Sequence, residues 1–176
     1  MKIKLYLDFD GVILDTIRTL EKKVIESGFE DAKWDTPGVA EFILSFDWGE
    51  LIQNSFPLND SISNIQKLLD SNLYDIAVLT HVNSIKEEEE KRQYLDKFFE
   101  NLSVIPVWYP TPKYKAVDCK NTVLVDDSVE NLILWEENGG ISVKFSIDDE
   151  QSPYITVNCL DKLIDKYQEL IDLVKI

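Results

Sequence analysis

The sequence predicts an α/β protein with a mostly parallel sheet, helices on both faces of that sheet, and a small helical cap inserted after the first strand. Short apolar runs rich in β-branched residues alternate with segments of helical period along most of the chain. The first of these runs is followed by an aromatic-rich insertion that breaks the alternation. The length of 176 residues fits one domain. Because strands and helices alternate, we expect a Rossmann-like core in this domain.

The individual elements follow from the same patterns. Six apolar runs predict strands at Lys2–Phe9, Asp75–Thr80, Ser103–Val107, Thr122–Val125, Ile141–Phe145 and Tyr154–Val157. Four segments of helical period predict helices at Ser61–Ser71, Ile85–Asn101, Val129–Asn138 and Leu160–Val174. Strands separated by helices of this length favour right-handed βαβ crossovers, and therefore a sheet whose strands run in one direction.

We expect residues 16–60 to form the cap, and residues 1–15 and 61–176 to form the core domain. Four apolar residues of the insertion have helical spacing: Ile17, Leu20, Val24 and Ile25. Aromatic residues then crowd an otherwise polar stretch, at Trp34, Phe42, Phe46, Trp48 and Phe56. We expect most of these rings to form the core of the cap itself, with one or two facing the site.

Composition and charge limit the classes of partner. The content of 44 % hydrophobic and 29 % charged residues is typical of a globular protein, and a net charge of −15 argues against binding to duplex nucleic acid. A small phosphorylated substrate is not excluded, since a bound cation can reverse the local field. Two cysteines without metal-ligand spacing, no signal peptide and no apolar stretch long enough for a membrane predict a cytoplasmic protein.

The segment Asp8–Val12 carries the first chemical signal. It places two carboxylates, Asp8 and Asp10, two residues apart at the end of a predicted buried strand. Side chains at such positions of an extended chain point to the same side, so both acids can reach one small ligand. Gly11 lets the backbone turn and approach that ligand closely. The carboxyl ends of strands are where open α/β sheets bind their substrates.

A second acid pair, Asp126 and Asp127, follows another predicted buried strand. Either Asp127 or Ser128 could simply cap the following helix. Two acid clusters at strand ends, however, would repel each other strongly unless a cation lay between them. A ligand set made only of oxygen atoms favours Mg²⁺ over zinc or copper.

Thr80 and two lysines complete the set of candidate site residues. Thr80 ends a predicted strand at the same edge of the sheet, where its hydroxyl suits a phosphate oxygen. His81, beside it, either contacts the substrate or packs. Lys113 and Lys115 lie shortly before the Asp126 strand, and either could neutralise a nucleophilic carboxylate and a transferring phosphoryl group.

A run of charged residues marks the helix that follows Thr80. Glu87–Glu90 is followed by Lys91 and Arg92, which gives Glu87–Lys91 and Glu88–Arg92 pairs four residues apart. Such a run is typical of a solvated helix face, and we expect that here.

These residues, in this order and spacing, resemble the four motifs of the haloacid dehalogenase-like (HAD) superfamily over nearly the whole chain. Asp8–Thr16, which reads DFDGVILDT, is similar to the first motif almost residue for residue. Leu79-Thr80 resembles the second motif, Lys113 or Lys115 the third, and Leu124–Ser128 the fourth. Within this superfamily the sequence is most similar to the 5′-nucleotidase and deoxyribonucleotidase type.

The resemblance implies a role for each motif residue. Asp8 would attack phosphorus and form an aspartyl-phosphate, and Asp10 would protonate the leaving alcohol and then deprotonate the attacking water. Mg²⁺ would be held by Asp8, the main-chain carbonyl of Asp10, Asp127 directly and Asp126 through water. Thr80 and Gly11 would bind phosphate. In nucleotidase-like relatives the lysine lies about ten residues before the acid pair, which favours Lys115 as catalytic and Lys113 as accessory.

The resemblance also ranks the reactions. An acid at position 10 favours phosphatases or phosphomutases, and the short cap favours hydrolysis over a sugar phosphomutase. The lysines and the aromatic residues of the cap favour a nucleoside 5′-monophosphate as substrate, and a broad phosphomonoesterase is the alternative. A catalytically silent HAD-like binding module is a further alternative, against which the filled motifs argue.

Overall fold

The computed structural model describes residues 2–33, 36–148 and 152–174. Within these ranges six strands form one sheet: β1 (Ile3–Leu7), β2 (Tyr74–Val82), β3 (Ser103–Trp108), β4 (Val123–Asp126), β5 (Ile141–Phe145) and β6 (Ile155–Val157). The helices are α1 (Thr16–Glu26), α2 (Val39–Ser45), α3 (Trp48–Asn54), α4 (Ser61–Ser71), α5 (Ile85–Asp96), α6 (Val129–Glu137), α7 (Lys162–Asp165) and α8 (Tyr167–Leu173).

All described strand pairs are parallel, in the order β3-β2-β1-β4-β5-β6. This is the doubly wound order in which the chain direction across the sheet reverses beside β1. The first strand therefore lies between β2 and β4, and its carboxyl end opens onto the crevice where such sheets bind ligands. The predicted α/β fold is confirmed.

Alternation along the strands divides the core between the two faces of the sheet. In β1, Leu5 and Leu7 face a cluster that includes Leu68 of α4 and Leu95 of α5. Tyr6 faces the opposite cluster, where the buried ring of Trp135 on α6 packs edge-on against it. Helices thus cover both faces, and the sheet is rigidly held beneath its carboxyl edge.

Several predicted element bounds differ from the structure. Strand β2 continues to Val82, because His81 and Val82 pair with Val107 and Trp108 of β3. Helix α5 ends at Asp96 rather than Asn101, where two following backbone N–H groups donate to the carbonyl of Leu95. The last predicted helix is two short helices, α7 and α8.

The inserted segment of residues 16–60, the cap segment, contains α1, α2 and α3. Val24, Val39 and Ile43 form a small buried cluster of its own. Phe42 packs against Phe29 and Phe46, as expected for a ring in the core of the cap. Other aromatic residues differ: Trp48 packs against α5 over the ammonium of Lys91, Phe56 is 78 % exposed, and Trp34 lies outside the described residues. The domain bounds stay a prediction.

Among the described helices, none has both the length and the apolar character that a bilayer-spanning segment requires. Cys119 and Cys159 are both free thiols.

Candidate active site

Two neighbouring strands bring three carboxylates together. Asp8 follows β1, Asp126 ends β4, and Asp127 comes directly after it. The backbone N–H of Asp8 donates to the carbonyl of Val125 at 2.9 Å, which ties the two strand ends together. One carboxylate oxygen from each of the three acids lies within 4.8 Å of the other two. This spacing suits one cation with oxygen ligands.

Gly11 makes room for this cluster. Its φ of +73° is a conformation that side-chain-bearing residues rarely adopt, and a Cβ at this position would overlap the Asp127 carboxylate. The loop closes immediately after it, since the N–H of Gly11 donates to the carbonyl of Leu14 at 2.8 Å. The glycine therefore lies directly against the Asp127 carboxylate.

Lys113, and not Lys115, is the lysine of the cluster. Its buried ammonium donates to Asp8 Oδ1 at 2.8 Å and to Asp126 Oδ2 at 2.7 Å. Lys115 is exposed, and its Nζ lies near the ring of Tyr114. The assignment of Lys115 to the site is wrong, because residues 113–115 form one 3₁₀ turn, whose three residues per turn direct positions 113 and 115 to different sides.

Asp126 is held on both of its oxygens by protein donors. Oδ1 accepts from the backbone N–H of Ser128 at 2.8 Å, and Asn131 Nδ2 lies 3.0 Å from Oδ2, beside Lys113. Sequence reasoning missed Asn131. Its position on the first turns of α6, five residues after Asp126, could have indicated that its side chain contacts that acid. Asp126 therefore fixes Lys113 in its position next to Asp8.

Asp10 lines the same cavity as Asp8 and has its own set of donors. Its Oδ1 accepts from Thr16 Oγ1 at 2.7 Å, and its Oδ2 accepts from Lys91 Nζ at 2.5 Å. The Thr80 hydroxyl is buried and lies 3.4 Å from the same Oδ2. Thr16 and Lys91 were missed in the sequence. The expectation that the charged run of α5 is wholly solvated is wrong, because Glu87 and Lys91 are buried on the face that also carries Leu95.

The crowding of negative charge perturbs these acids. Burial, and the nearby Asp126, Asp10 and Asp127 carboxylates, raise the pKa of Asp8 well above its ordinary value, while Lys113 opposes the shift. Burial and Asp126 raise the pKa of Asp127 to about 7. Lys113 has its pKa raised by Asp126 and Asp8 against the effect of burial. Such a cluster is suited to a divalent cation, whose charge would offset the repulsion.

A cavity of about 470 Å³ opens above the acids. Asp8, Asp10 and Asp127 line it together with His81 and Tyr109. The remaining lining residues are Ile17, Pro110, Pro112, Ser128, Glu130, Asn131 and Leu134. Ring nitrogen Nε2 of His81 lies 3.0 Å from the carbonyl oxygen of Thr111, and burial lowers the pKa of this imidazole. His81 thus both packs on a loop and borders the cavity.

Of the expected site residues, Asp8, Asp10, His81 and Asp127 line this cavity; Gly11, Thr80, Lys113 and Asp126 lie directly behind them, and Lys115 lies outside. Residues from four separate stretches of the chain therefore meet at one edge of the sheet.

No model of a known protein family matches the chain, and no curated protein matches it in sequence. Solved structures do match it in fold. A HAD-superfamily hydrolase from Ehrlichia chaffeensis has 16 % identity and a TM-score of 0.56, covering 99 % of this chain and 100 % of its own. A HAD hydrolase of family IA, variant 3, from Entamoeba histolytica has 10 % identity and a TM-score of 0.63, with both chains fully covered. A HAD phosphatase from Thermococcus onnurineus has 18 % identity and a TM-score of 0.58, covering 94 % and 97 %.

Replacing Lys113 tests the electrostatic design of the cluster. Lys113→Met leaves Asp8 and Asp126 buried without their shared cation, so we expect the free energy of unfolding at neutral pH, without added metal, to fall by about 3–5 kcal/mol. Lys115→Met, two residues away and exposed, should change it by no more than about 0.5 kcal/mol. Urea unfolding of both variants measures this. Equal effects of the two substitutions would contradict the assignment of Lys113.

Proposed function

We propose that the chain is a hydrolase of the HAD superfamily, a Mg²⁺-dependent phosphatase that cleaves phosphomonoesters through an aspartyl-phosphate on Asp8. One observation carries the proposal: Asp8 lines an open cavity at the carboxyl edge of a parallel sheet, with Lys113 at 2.8 Å and a carboxylate oxygen of Asp127 within 4.8 Å. The similarity in fold to HAD-superfamily hydrolases supports it. So do the four motifs, each with a reactive residue in place.

The donor set fits Mg²⁺. Asp8, the main-chain carbonyl of Asp10 and Asp127 would hold it, all through hard oxygen atoms. Asp126 would act through a water, since its two oxygens accept hydrogen bonds from Lys113, Ser128 and Asn131. When bound, the cation would neutralise charge on Asp8 and on the phosphoryl oxygens, so that two anions can approach each other.

Asp8 would be the nucleophile. The backbone N–H of Phe9 and the ammonium of Lys113 both donate to its Oδ1, at 2.7 and 2.8 Å, and fix the carboxylate. A carboxylate oxygen attacks phosphorus, the bond from Asp8 to phosphorus forms, and the ester P–O bond breaks. The Lys113 charge lies beside the reacting group, where it stabilises the equatorial oxygens of the phosphoryl group in transfer.

Asp10 would move the protons. As the acid it gives its proton to the leaving oxygen, so that the product departs as an alcohol. As the resulting carboxylate it takes a proton from water, whose oxygen attacks phosphorus and breaks the bond to Asp8. Phosphate and the original Asp8 carboxylate are released, and Asp10 is again protonated. The sum is ester plus water to alcohol plus phosphate.

For the substrate we propose a nucleoside 5′-monophosphate. Support comes from the wall of the cavity, where the 55 % exposed ring of Tyr109 lies next to His81 and offers a surface for a base to stack on. The expected cap aromatics do not line this cavity in the described structure; Ile17 is the residue of the cap segment that does. Selectivity for the leaving group would thus reside in the core loop of Tyr109.

We also propose that the protein works in the cytoplasm. Its two free cysteines, one buried and one half-buried, support a reducing compartment.

Replacement of Asp8 tests the covalent route. With Mg²⁺ present, the protein should hydrolyse p-nitrophenyl phosphate and members of a nucleotide panel, and chelation should abolish turnover. Asp8→Asn should lower kcat by about 10³-fold or more, as removal of a nucleophile does. Asp75→Asn, at the opposite end of the sheet and exposed, is the matched control and should retain activity.

Metal binding is measured separately from turnover. Because a ligand that binds only the folded state stabilises it, Mg²⁺ should raise the Tm of the wild-type protein and leave that of Asp127→Asn nearly unchanged. Turnover by the Asp8→Asn variant at the wild-type rate would contradict the covalent mechanism.

Replacement of Tyr109 tests the nucleotide. Because stacking of a base on an aromatic ring contributes about 1–3 kcal/mol, Tyr109→Ala should lower kcat/KM for nucleoside monophosphates about tenfold or more. Hydrolysis of glycerol phosphate, which has no base, should change little. Phe56→Ala, an exposed ring away from the cavity, is the control. The same loss on both substrates would indicate that Tyr109 does not select a base.

A further inference from the structure

Lys91 is a buried cation at the site that takes no direct part in the proposed chemistry. Its side chain is 0 % exposed, and its ammonium lies among four oxygens. These belong to Asp10 (Oδ2, 2.5 Å), Glu87 (Oε1, 2.8 Å), His81 (main chain, 2.8 Å) and Thr80 (Oγ1, 3.1 Å). An ammonium has three N–H groups, so every donor of this lysine is used.

The surroundings of Lys91 exclude water. The faces of two aromatic rings flank it, with Nζ 5.5 Å from the centroid of Phe9 and 5.1 Å from that of Trp48. Burial alone lowers the pKa of Lys91, but the Asp10 and Glu87 carboxylates outweigh it and raise it above the ordinary value. Burying an ammonium costs several kcal/mol, and a methionine would fill the same space without that cost. A role specific to the charge accounts for a lysine here.

Glu87 fixes the position of that charge. It is itself buried, accepts a hydrogen bond from the backbone N–H of Asn83 at 2.8 Å, and pairs with Lys91 one helical turn later. The neighbouring pair on α5, Glu88 and Arg92, has the same spacing at 3.0 Å but is partly exposed. Stabilisation of the helix therefore explains the Glu88–Arg92 pair, whereas the buried Glu87–Lys91 pair needs a different explanation.

The hydrogen bonds and ion pairs of Lys91 converge on the Asp10 carboxylate. Thr16 holds Oδ1 and Lys91 holds Oδ2, so donors on two different elements, α1 and α5, fix both of its oxygens. Asp10 lies in a loop beyond the end of β1, where a carboxylate without such partners could rotate. A displacement of about 1 Å in a reacting group costs about 10²-fold in rate.

We propose that Lys91, seated on Glu87, is a positioning residue that orients the Asp10 carboxyl group toward the leaving-group oxygen. This inference rests on the proposed phosphatase function. It differs from the stabilising role of Lys113, which contacts the nucleophile, because Lys91 acts through the proton donor.

The leaving group provides the test. We compare kcat/KM, which reports phosphoryl transfer to Asp8, for phenyl phosphate and for 2,4-dinitrophenyl phosphate, whose leaving group needs no proton. Lys91→Met should lose about 10²-fold on phenyl phosphate and little on the dinitrophenyl ester. Asp10→Asn should show the same pattern, and adding Lys91→Met to it should cause no further loss.

Two further variants keep the test decisive. If Lys91→Met fails to fold, the double variant Glu87→Gln/Lys91→Met takes its place, because it also removes the buried charge of Glu87. It is then used both in the comparison of the two esters and in combination with Asp10→Asn. Glu88→Gln/Arg92→Met, the exposed pair of the same helix, is the control and should behave like wild type on both esters.

Equal losses on the two esters, or losses that multiply with Asp10→Asn, would overturn the positioning role while the phosphatase function stands. Absence of turnover by the wild-type protein would instead overturn the proposed function. A crystal structure of the Lys91→Met variant tests the positioning role of Lys91 independently of activity. A rotated Asp10 carboxylate is the expected result, and an unchanged one would overturn the inference.

Discussion

The accumulation of negative charge at the carboxyl ends of β1 and β4 is the constraint on which the rest of this molecule depends. Asp8, Asp126 and Asp127 lie within 4.8 Å of one another, mostly out of contact with water, and Asp10 is close by. Like charges this close repel one another and oppose folding unless cations compensate them. Two buried lysines, Lys113 and Lys91, supply part of this compensation from separate elements. The proposed Mg²⁺ would supply the remainder.

The sheet makes this arrangement possible because its strands are rigid and parallel. Leu5 and Leu7 anchor β1 on one face and Tyr6 on the other, so the loop beyond Leu7 starts from a fixed point. The positive φ of Gly11 then brings that loop against Asp127. A site assembled from four stretches of chain can in this way hold reacting groups at fixed distances, which is what the proposed phosphoryl transfer requires.

Most of the fold and of the acid cluster could be predicted from local patterns, since alternation reports buried strands and Asp8–Thr16 is a dense motif. The choice between Lys113 and Lys115 could not, because spacing along the chain does not show the direction of a 3₁₀ turn. Lys91 was missed because charged runs usually face solvent, and only the packing of Trp48 and Phe9 around it reveals its burial. Among the described residues, no aromatic ring of the cap segment lines the cavity, because tertiary contacts, not composition, decide which ring faces a cavity.

The proposed function depends on transfer of a phosphoryl group to Asp8, beside a divalent cation and Lys113. The most direct measurement is a crystal structure of the protein with Mg²⁺ and beryllofluoride, an analogue of a carboxyl-bound phosphoryl group. We expect the analogue on a carboxylate oxygen of Asp8, with Lys113 within hydrogen-bond distance of it and Mg²⁺ held by Asp8, Asp127 and the carbonyl of Asp10. An Asp8 left bare in those crystals, with the metal bound by other residues, would contradict it.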